Sequence, residues 1–285
     1  MCLVAFAIGT SERLPLVLAS NRDEFFDRDT LALSRWQTAS GHTIVSGRDL
    51  RAGGTWLGVT PAGRMAWLTN VREVPALPAA LSRGELVMQW LTGEQTAHDF
   101  MAQTDALAYG GFNLVLAGSV QGPWTWLSNR SNAGGAADWQ HRDLQPGIYG
   151  LSNAGLDTPW PKTVALKAAL ADALKKSDEG LQDPDTPVLE AALWQALSSR
   201  VRASDATLPN TSVSPALESA LSSAFVEAFD RGYGTRSSTL LIAFRGSSQG
   251  GLLHLLEKTW AVPPSSPSAG TEPVSTARQT LAWLD

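Results

Sequence analysis

The sequence predicts an α+β fold in which antiparallel sheets are covered by helices. Three observations carry that expectation. The early strand-like runs are apolar on both faces, they are joined by short turns of hairpin type, and segments of helical period stand in blocks between them without β-α-β repetition. Cys2–Gly9 and Pro15–Ser20 flank the polar turn Thr10-Ser11-Glu12-Arg13, the pattern of a hairpin. In the second run Leu16 and Leu18 occupy one face and Val17 and Ala19 the other, so cover is expected on both sides. Further strands are expected at Thr43–Ser46, Thr55–Thr60 and Met65–Thr69, separated by Gly53-Gly54 and the turn Pro61-Ala62-Gly63. Ser82-Arg83-Gly84-Glu85 has capping-box spacing and leads into a helix through Leu91. Thr96 starts a second helix with Phe100, Met101 and Leu107 on one side. Strands return at Phe112–Ala117, Trp124–Ser128 and Ile148–Ser152.

After Trp160-Pro161 the spacing changes. Leu166, Leu170 and Leu174, then Leu189, Leu193 and Leu197, then Leu217, Leu221 and Phe225 predict three amphipathic helices. The last is entered through Ser214-Pro215, with Pro at a tolerated first-turn position. Strands Ser237–Phe244 and Leu252–Thr259 close the fold across Gly246–Gly251. Residues 1–262 are expected to form a single domain, and residues 263–285 a Pro/Ser-rich segment with a short C-terminal tail.

Composition narrows the function classes. An apolar fraction of 44% and a charged fraction of 17% describe an ordinary globular chain. The formal charge of −5 argues against a general affinity for nucleic acid. A single cysteine excludes an intrachain disulfide framework and fits a reducing compartment. His42, His98, His141 and His254 are scattered, without metal-site spacing. The first apolar run is too short for a transmembrane segment and lacks the build of a signal peptide. A cytoplasmic protein is the expectation.

The chemistry centres on Cys2. Loss of Met1 would leave a thiol and a free α-amine on one residue, nucleophile and base together. The competing reading is a small buried residue that happens to stand second. Asn21-Arg22-Asp23-Glu24 follows the second strand, and a hairpin brings that segment beside Cys2. Arg22 there would lower the thiol pKa and Asp23 would orient the amine, against the alternative of a solvated turn. Asn70, Asn129 and Asn153 each end a strand. An Asn amide aimed at a developing oxyanion is worth roughly 3 kcal/mol of barrier, though Asn129 reads as a turn residue. Arg236 leads the first closing strand, pointing inward to a charge or outward to solvent. Trp56, Trp67 and Trp90, among eleven tryptophans, read as pocket lining or, preferably, as core.

Together with the Met-Cys start, the motifs Asn21-Arg22-Asp23-Glu24, Gly54-Thr55-Trp56-Leu57-Gly58, Leu68-Thr69-Asn70, Tyr149-Gly150-Leu151-Ser152-Asn153 and Gly234-Thr235-Arg236-Ser237-Ser238-Thr239 resemble the NRDE family, also called the transport-and-Golgi-organisation type 2 family. The resemblance implies a four-layer αββα sandwich of the N-terminal-nucleophile hydrolase type. A more distant similarity, to penicillin V acylases and bile salt hydrolases, matches Cys2 to the nucleophile, Asn153 to a mid-chain Asn and Arg236 to a later Arg. In those enzymes the early Arg and Asp are separated by two residues, whereas Arg22 and Asp23 are adjacent.

Two functions follow. One is hydrolysis of a non-peptide amide of a small-molecule acyl substrate, with Cys2, Arg22, Asp23, Asn153 and Arg236 catalytic, Asn21 and Asn70 contacting substrate, and no cofactor required. The other is a non-catalytic haem or acyl-lipid carrier on the same fold, in which Cys2 is an axial thiolate or merely structural. A glutamine amidotransferase domain would need a partner domain for its ammonia.

Overall fold

A computed structural model describes residues 2–73, 79–130, 136–179, 186–246, 250–261 and 272–284. Two seven-stranded antiparallel sheets are stacked between two helical layers. The first sheet contains β1 (Cys2–Ile8), β2 (Leu16–Phe25), β10 (Gly147–Leu151), β11 (Glu227–Ala228), β12 (Tyr233–Arg245), β13 (Gly251–Trp260) and β14 (Pro273–Trp283). Its order is β10-β1-β2-β12-β13-β14, with β11 on β12. The second sheet is a meander of β3 (Thr30–Gln37), β4 (Thr43–Asp49), β5 (Leu57–Val59), β6 (Met65–Asn70), β7 (Phe112–Ala117), β8 (Trp124–Arg130) and β9 (Ala136–Leu144).

Alternation along each strand explains the layering. In β1 and β2, Val4, Phe6, Ile8, Leu16 and Leu18 point between the sheets, where they meet Val59, Met65, Trp67 and Val115. The intervening Leu3, Ala5, Ala7, Val17 and Ala19 point outward, against α3 (Pro161–Glu179) and α4 (Thr186–Leu197) through Leu166, Leu170, Leu189 and Leu193. The second sheet is covered in the same way by α1 (Gly84–Thr92) and α2 (Ala97–Gln103), with Leu86, Trp90 and Phe100 over Ala66, Leu114 and Leu127. The expected α+β sandwich is therefore present, with strands buried on both faces.

Several details differ from the sequence reading. Residues 273–283 are not a tail: β14 pairs along its length with β13, from Gly251–Trp283 to Trp260–Pro273, and Leu281 and Trp283 reach the core between the sheets. Its alternating exposed and buried positions hid it among polar neighbours. The Pro/Ser-rich stretch itself lies largely outside the described residues, as does Met1. β3 was missed for a similar reason, since most of its side chains are partly exposed. The third predicted helix is α5, Pro215–Ala220; the chain turns at Leu221, and Phe225 packs edge-on against Trp260. The capping box does not form. Arg83 is the N-cap residue of α1 with helical φ and ψ and no side-chain cap bond, while the Ser82 carbonyl accepts from the Glu85 amide. Leu107 falls outside α2, in a separate helical turn. Asn129 lies inside β8, where its side chain accepts from the Phe112 amide and donates to the Ala106 and Tyr109 carbonyls. Among the described residues no helix is long and apolar enough to cross a membrane.

Candidate functional site

The β1–β2 register sets Cys2 directly opposite Arg22. Residues opposite one another in an antiparallel pair project to the same face, so Cys2 and Arg22 both look between the sheets, and alternation sends Asn21 and Asp23 to the helical side. At this end the sheets leave a cavity of about 740 Å³. Cys2, Arg22, Asp23 and Glu24 line it from the first sheet, Asn70 from the end of β6, and Ser82, Arg83 and Gly84 from the start of α1. Gly54 permits this closure: a Cβ there would lie 2.7 Å from the Gly84 carbonyl carbon, so only a bare backbone lets α1 start so close to the Gly54–Thr55 wall.

Arg22 is 5% exposed, and its Nη2 lies 3.3 Å from Asp49 Oδ2 and 3.6 Å from Glu24 Oε2. Its guanidinium carbon sits 4.3 Å from the Trp56 ring centre, a cation–π stack that fixes its plane. Trp56 thus belongs to the cavity wall, whereas Trp67 is inter-sheet core and Trp90 packs from α1 onto the second sheet. Arg28 Nε donates to Asp49 Oδ2 at 2.6 Å. Burial pushes the Asp49 carboxyl up, but the Ala52 amide and the Arg28 and Arg22 charges outweigh it and hold the group below its ordinary value. Asp49 and Arg28 carry no family-like motif, and no spacing signal marked them; stacking of the two sheets brings Asp49, at the end of β4, to the end of β2.

The thiol behaves differently from the sequence expectation. Cys2 is 6% exposed, and burial raises its pKa; Asp23 and Glu24 add to the rise, and Arg22 opposes it without prevailing. Arg22 already shares its charge with two carboxylates, so it does not produce a resting thiolate. Asp23 accepts a 2.7 Å hydrogen bond from Thr235 Oγ1. Burial raises its pKa too, against the lowering effect of Lys162. Lys162, at the start of α3, is itself buried, with Nζ 2.9 Å from the Leu221 carbonyl, and burial lowers its pKa while Asp23 opposes that shift. A lysine at the head of an amphipathic helix reads as solvated, so nothing local marks this neighbour.

Three predicted residues do not line the cavity. Asn21 is fully buried on the helical side, donating to the Leu197 and Ala224 carbonyls at 2.8 Å each and accepting from Ser238 Oγ at 2.6 Å. Those bonds remove it from any substrate contact. Arg236 occupies the bulge between Thr235 and Ser237, which turns its side chain toward the β2 end. There Nη1 donates to the carbonyls of Phe25, Phe26 and Arg28 at 2.9, 3.1 and 3.3 Å, so it positions the loop bearing Arg28 and does not touch the cavity. Asn153 is buried behind the wall and donates to the Asn70 carbonyl at 2.9 Å, while the neighbouring Ser152 hydroxyl donates to the Cys2 carbonyl at 3.2 Å. Asn153 therefore fixes the backbone of Asn70, and Asn70 is the asparagine at the cavity.

Comparison with known proteins agrees with this architecture. A family model described as Transport and Golgi organisation 2 matches residues 1–261. The Transport and Golgi organization protein 2 homolog of Bos taurus is 32% identical over 262 residues, covering 85% of this chain and 88% of that protein. The Homo sapiens homolog is 31% identical over 260 residues, covering 85% and 88%. Among solved structures, a mutant of the conjugated bile acid hydrolase from Clostridium perfringens superposes with a TM-score of 0.52 at 6% identity, over 99% of this chain and 97% of that one. That likeness places the chain in the N-terminal-nucleophile hydrolase fold.

Proposed function

This chain belongs to the Transport and Golgi organisation 2 family, and from that premise and the site geometry we propose that it hydrolyses a non-peptide amide through Cys2 once Met1 has been removed. The observation that carries the reading is the placement of the Cys2 side chain at an open cavity, opposite Arg22 in the strand register. A neutral thiol suits a mechanism in which base and nucleophile share a residue. The α-amine takes the thiol proton as sulfur attacks the substrate carbonyl, and Asp23 holds the amine in orientation. Collapse of the tetrahedral intermediate expels the amine product, which takes up the proton. Water then attacks the thioester and releases the acid. Asn70 supplies a side-chain donor to the oxyanion, and Asn153 keeps its backbone in place. Arg22, clamped between Trp56 and Asp49, forms the wall beside Cys2.

The test combines intact mass with turnover. Protein lacking Met1 is expected to cleave at least one member of an N-acyl amide panel, and Cys2→Ser, folded by circular dichroism, to lose that activity by a factor of about a thousand or more. Full turnover by Cys2→Ser, or by protein retaining Met1, refutes the mechanism. The carrier reading predicts instead no turnover by either protein and, where Cys2 is merely structural, equal ligand affinity in both. For its haem form, the raised thiol pKa disfavours the thiolate that an axial ligand requires; a haem absorbance band lost in Cys2→Ser would support it.

A further inference from the structure

The charges around the cavity are mostly paired. Asp49 and Glu24 serve Arg22 and Arg28, Arg72 lies against Glu218, and Glu73 lies against Arg130. Arg83 stands apart. It lines the cavity at the head of α1 with a guanidinium whose Nη1 donates to the neutral Gly111 carbonyl at 3.0 Å. Among the described residues it has no carboxylate within 4.0 Å. Burial lowers its pKa, with the Glu24 and Glu73 carboxylates acting in the opposite sense; even lowered, an arginine stays charged at neutral pH. A partly buried cation with no carboxylate in direct contact is costly in an empty protein and is repaid when an anion arrives.

A second basic side chain lines the same cavity: Arg22, held in place by Trp56 and Asp49. The amino end of α1 also opens here, adding a weakly favourable field for negative charge. The rest of the wall includes Phe25, Trp56, Leu68, Val71 and Leu81, which suit a hydrocarbon portion.

We propose that the substrate of this cavity is an acyl compound bearing a carboxylate, and that Arg83 is the residue selecting for that group. The inference rests on the cavity being the substrate site, and it concerns recognition independently of whether the bond is cleaved. One arginine without a directly paired carboxylate matches a monoanion, and the guanidinium fork matches the two oxygens of a carboxylate.

Binding is measured by calorimetry in a Cys2→Ser background, with N-decanoylglycine and its neutral analogue N-decanoylglycinamide as probes. The acid is expected to bind about 10-fold or more tightly than the amide. Arg83→Gln is expected to abolish that preference while leaving amide affinity unchanged, and Arg83→Lys to retain part of it. Equal affinity for acid and amide, no binding of either, or an equal loss for both in Arg83→Gln overturns the proposal. Turnover of the two probes by the Cys2 protein is scored separately. An acid preference without turnover retires the hydrolytic reading and keeps this one; turnover of acid and amide alike, without preference, does the reverse.

Discussion

Asn21 offers a quantitative test of where structure and function divide in this site. Its amide is the hub of a buried chain in which Trp260 Nε1 donates to Ser238 Oγ at 2.9 Å, Ser238 donates to Asn21 Oδ1, and Asn21 Nδ2 donates to the Leu197 and Ala224 carbonyls. The chain ties β2 to the end of α4 and to the strand β12. Asn21→Ala deletes three hydrogen bonds at a fully buried position, each worth a net ~1 kcal/mol, for a loss of about 3 kcal/mol. Two carbonyls that lose their donor and a Ser238 hydroxyl proton that loses its acceptor push the value upward. Asn21→Asp keeps the shape but removes the donor and sets carboxyl oxygens against two carbonyl oxygens, so it is expected to cost at least as much. In a domain of this size the loss corresponds to a fall in Tm of roughly 5 °C. Urea denaturation with wild type as reference measures it. A loss below about 1 kcal/mol for both variants, combined with a raised KM on any substrate found, would show that the residue acts on ligand after all and would refute the packing argument.

Other outcomes follow from the same geometry. Alkylation of Cys2 is expected to be slow at neutral pH and to accelerate with a midpoint above the ordinary thiol value, because burial holds the proton on; a midpoint at or below that value contradicts the neutral thiol. Arg236→Leu removes the charged donor to three carbonyls and is expected to cost about 2 kcal/mol, with faster proteolysis around Phe25–Arg28 as its signature. Gly54→Ala forces a methyl against the Gly84 backbone and is expected to destabilise by about 1–3 kcal/mol; an unchanged urea midpoint would mean that α1 yields freely. His254 has a pKa lowered by burial and by Arg278. The unfolded chain therefore binds its proton first as pH falls through the ordinary histidine range, and stability is lost on acidification. His254→Gln is expected to flatten the fall in Tm between pH 7 and pH 5; parallel curves for the two proteins would exclude that contribution.

The two-sided apolar strands and the hairpin of residues 2–25 were legible from the sequence because the period of two is a local property. That hairpin alone brought Cys2 and Arg22 together, since pairing across a short turn leaves little freedom of register. Edge strands with polar faces, β3 and β14, were not legible, because at a sheet edge solvent exposure mixes with burial and blurs the alternation. Neither were the partners that turn a polar tetrad into a site. Asp49, Arg83 and Lys162 arrive from elements 25 or more residues from the Arg22–Glu24 segment, and nothing local marks a charge that will be buried. Burial also reversed an electrostatic expectation: Arg22 beside Cys2 suggests a thiolate, but removal of the sulfur from water outweighs one shared guanidinium. The chain's own pattern thus determined which residues stand in each strand and which face they take. The tertiary structure decided which of them meet a cavity, which serve as internal clamps, and what protonation state the surrounding protein permits, because desolvation and long-range pairing exist once the layers have closed.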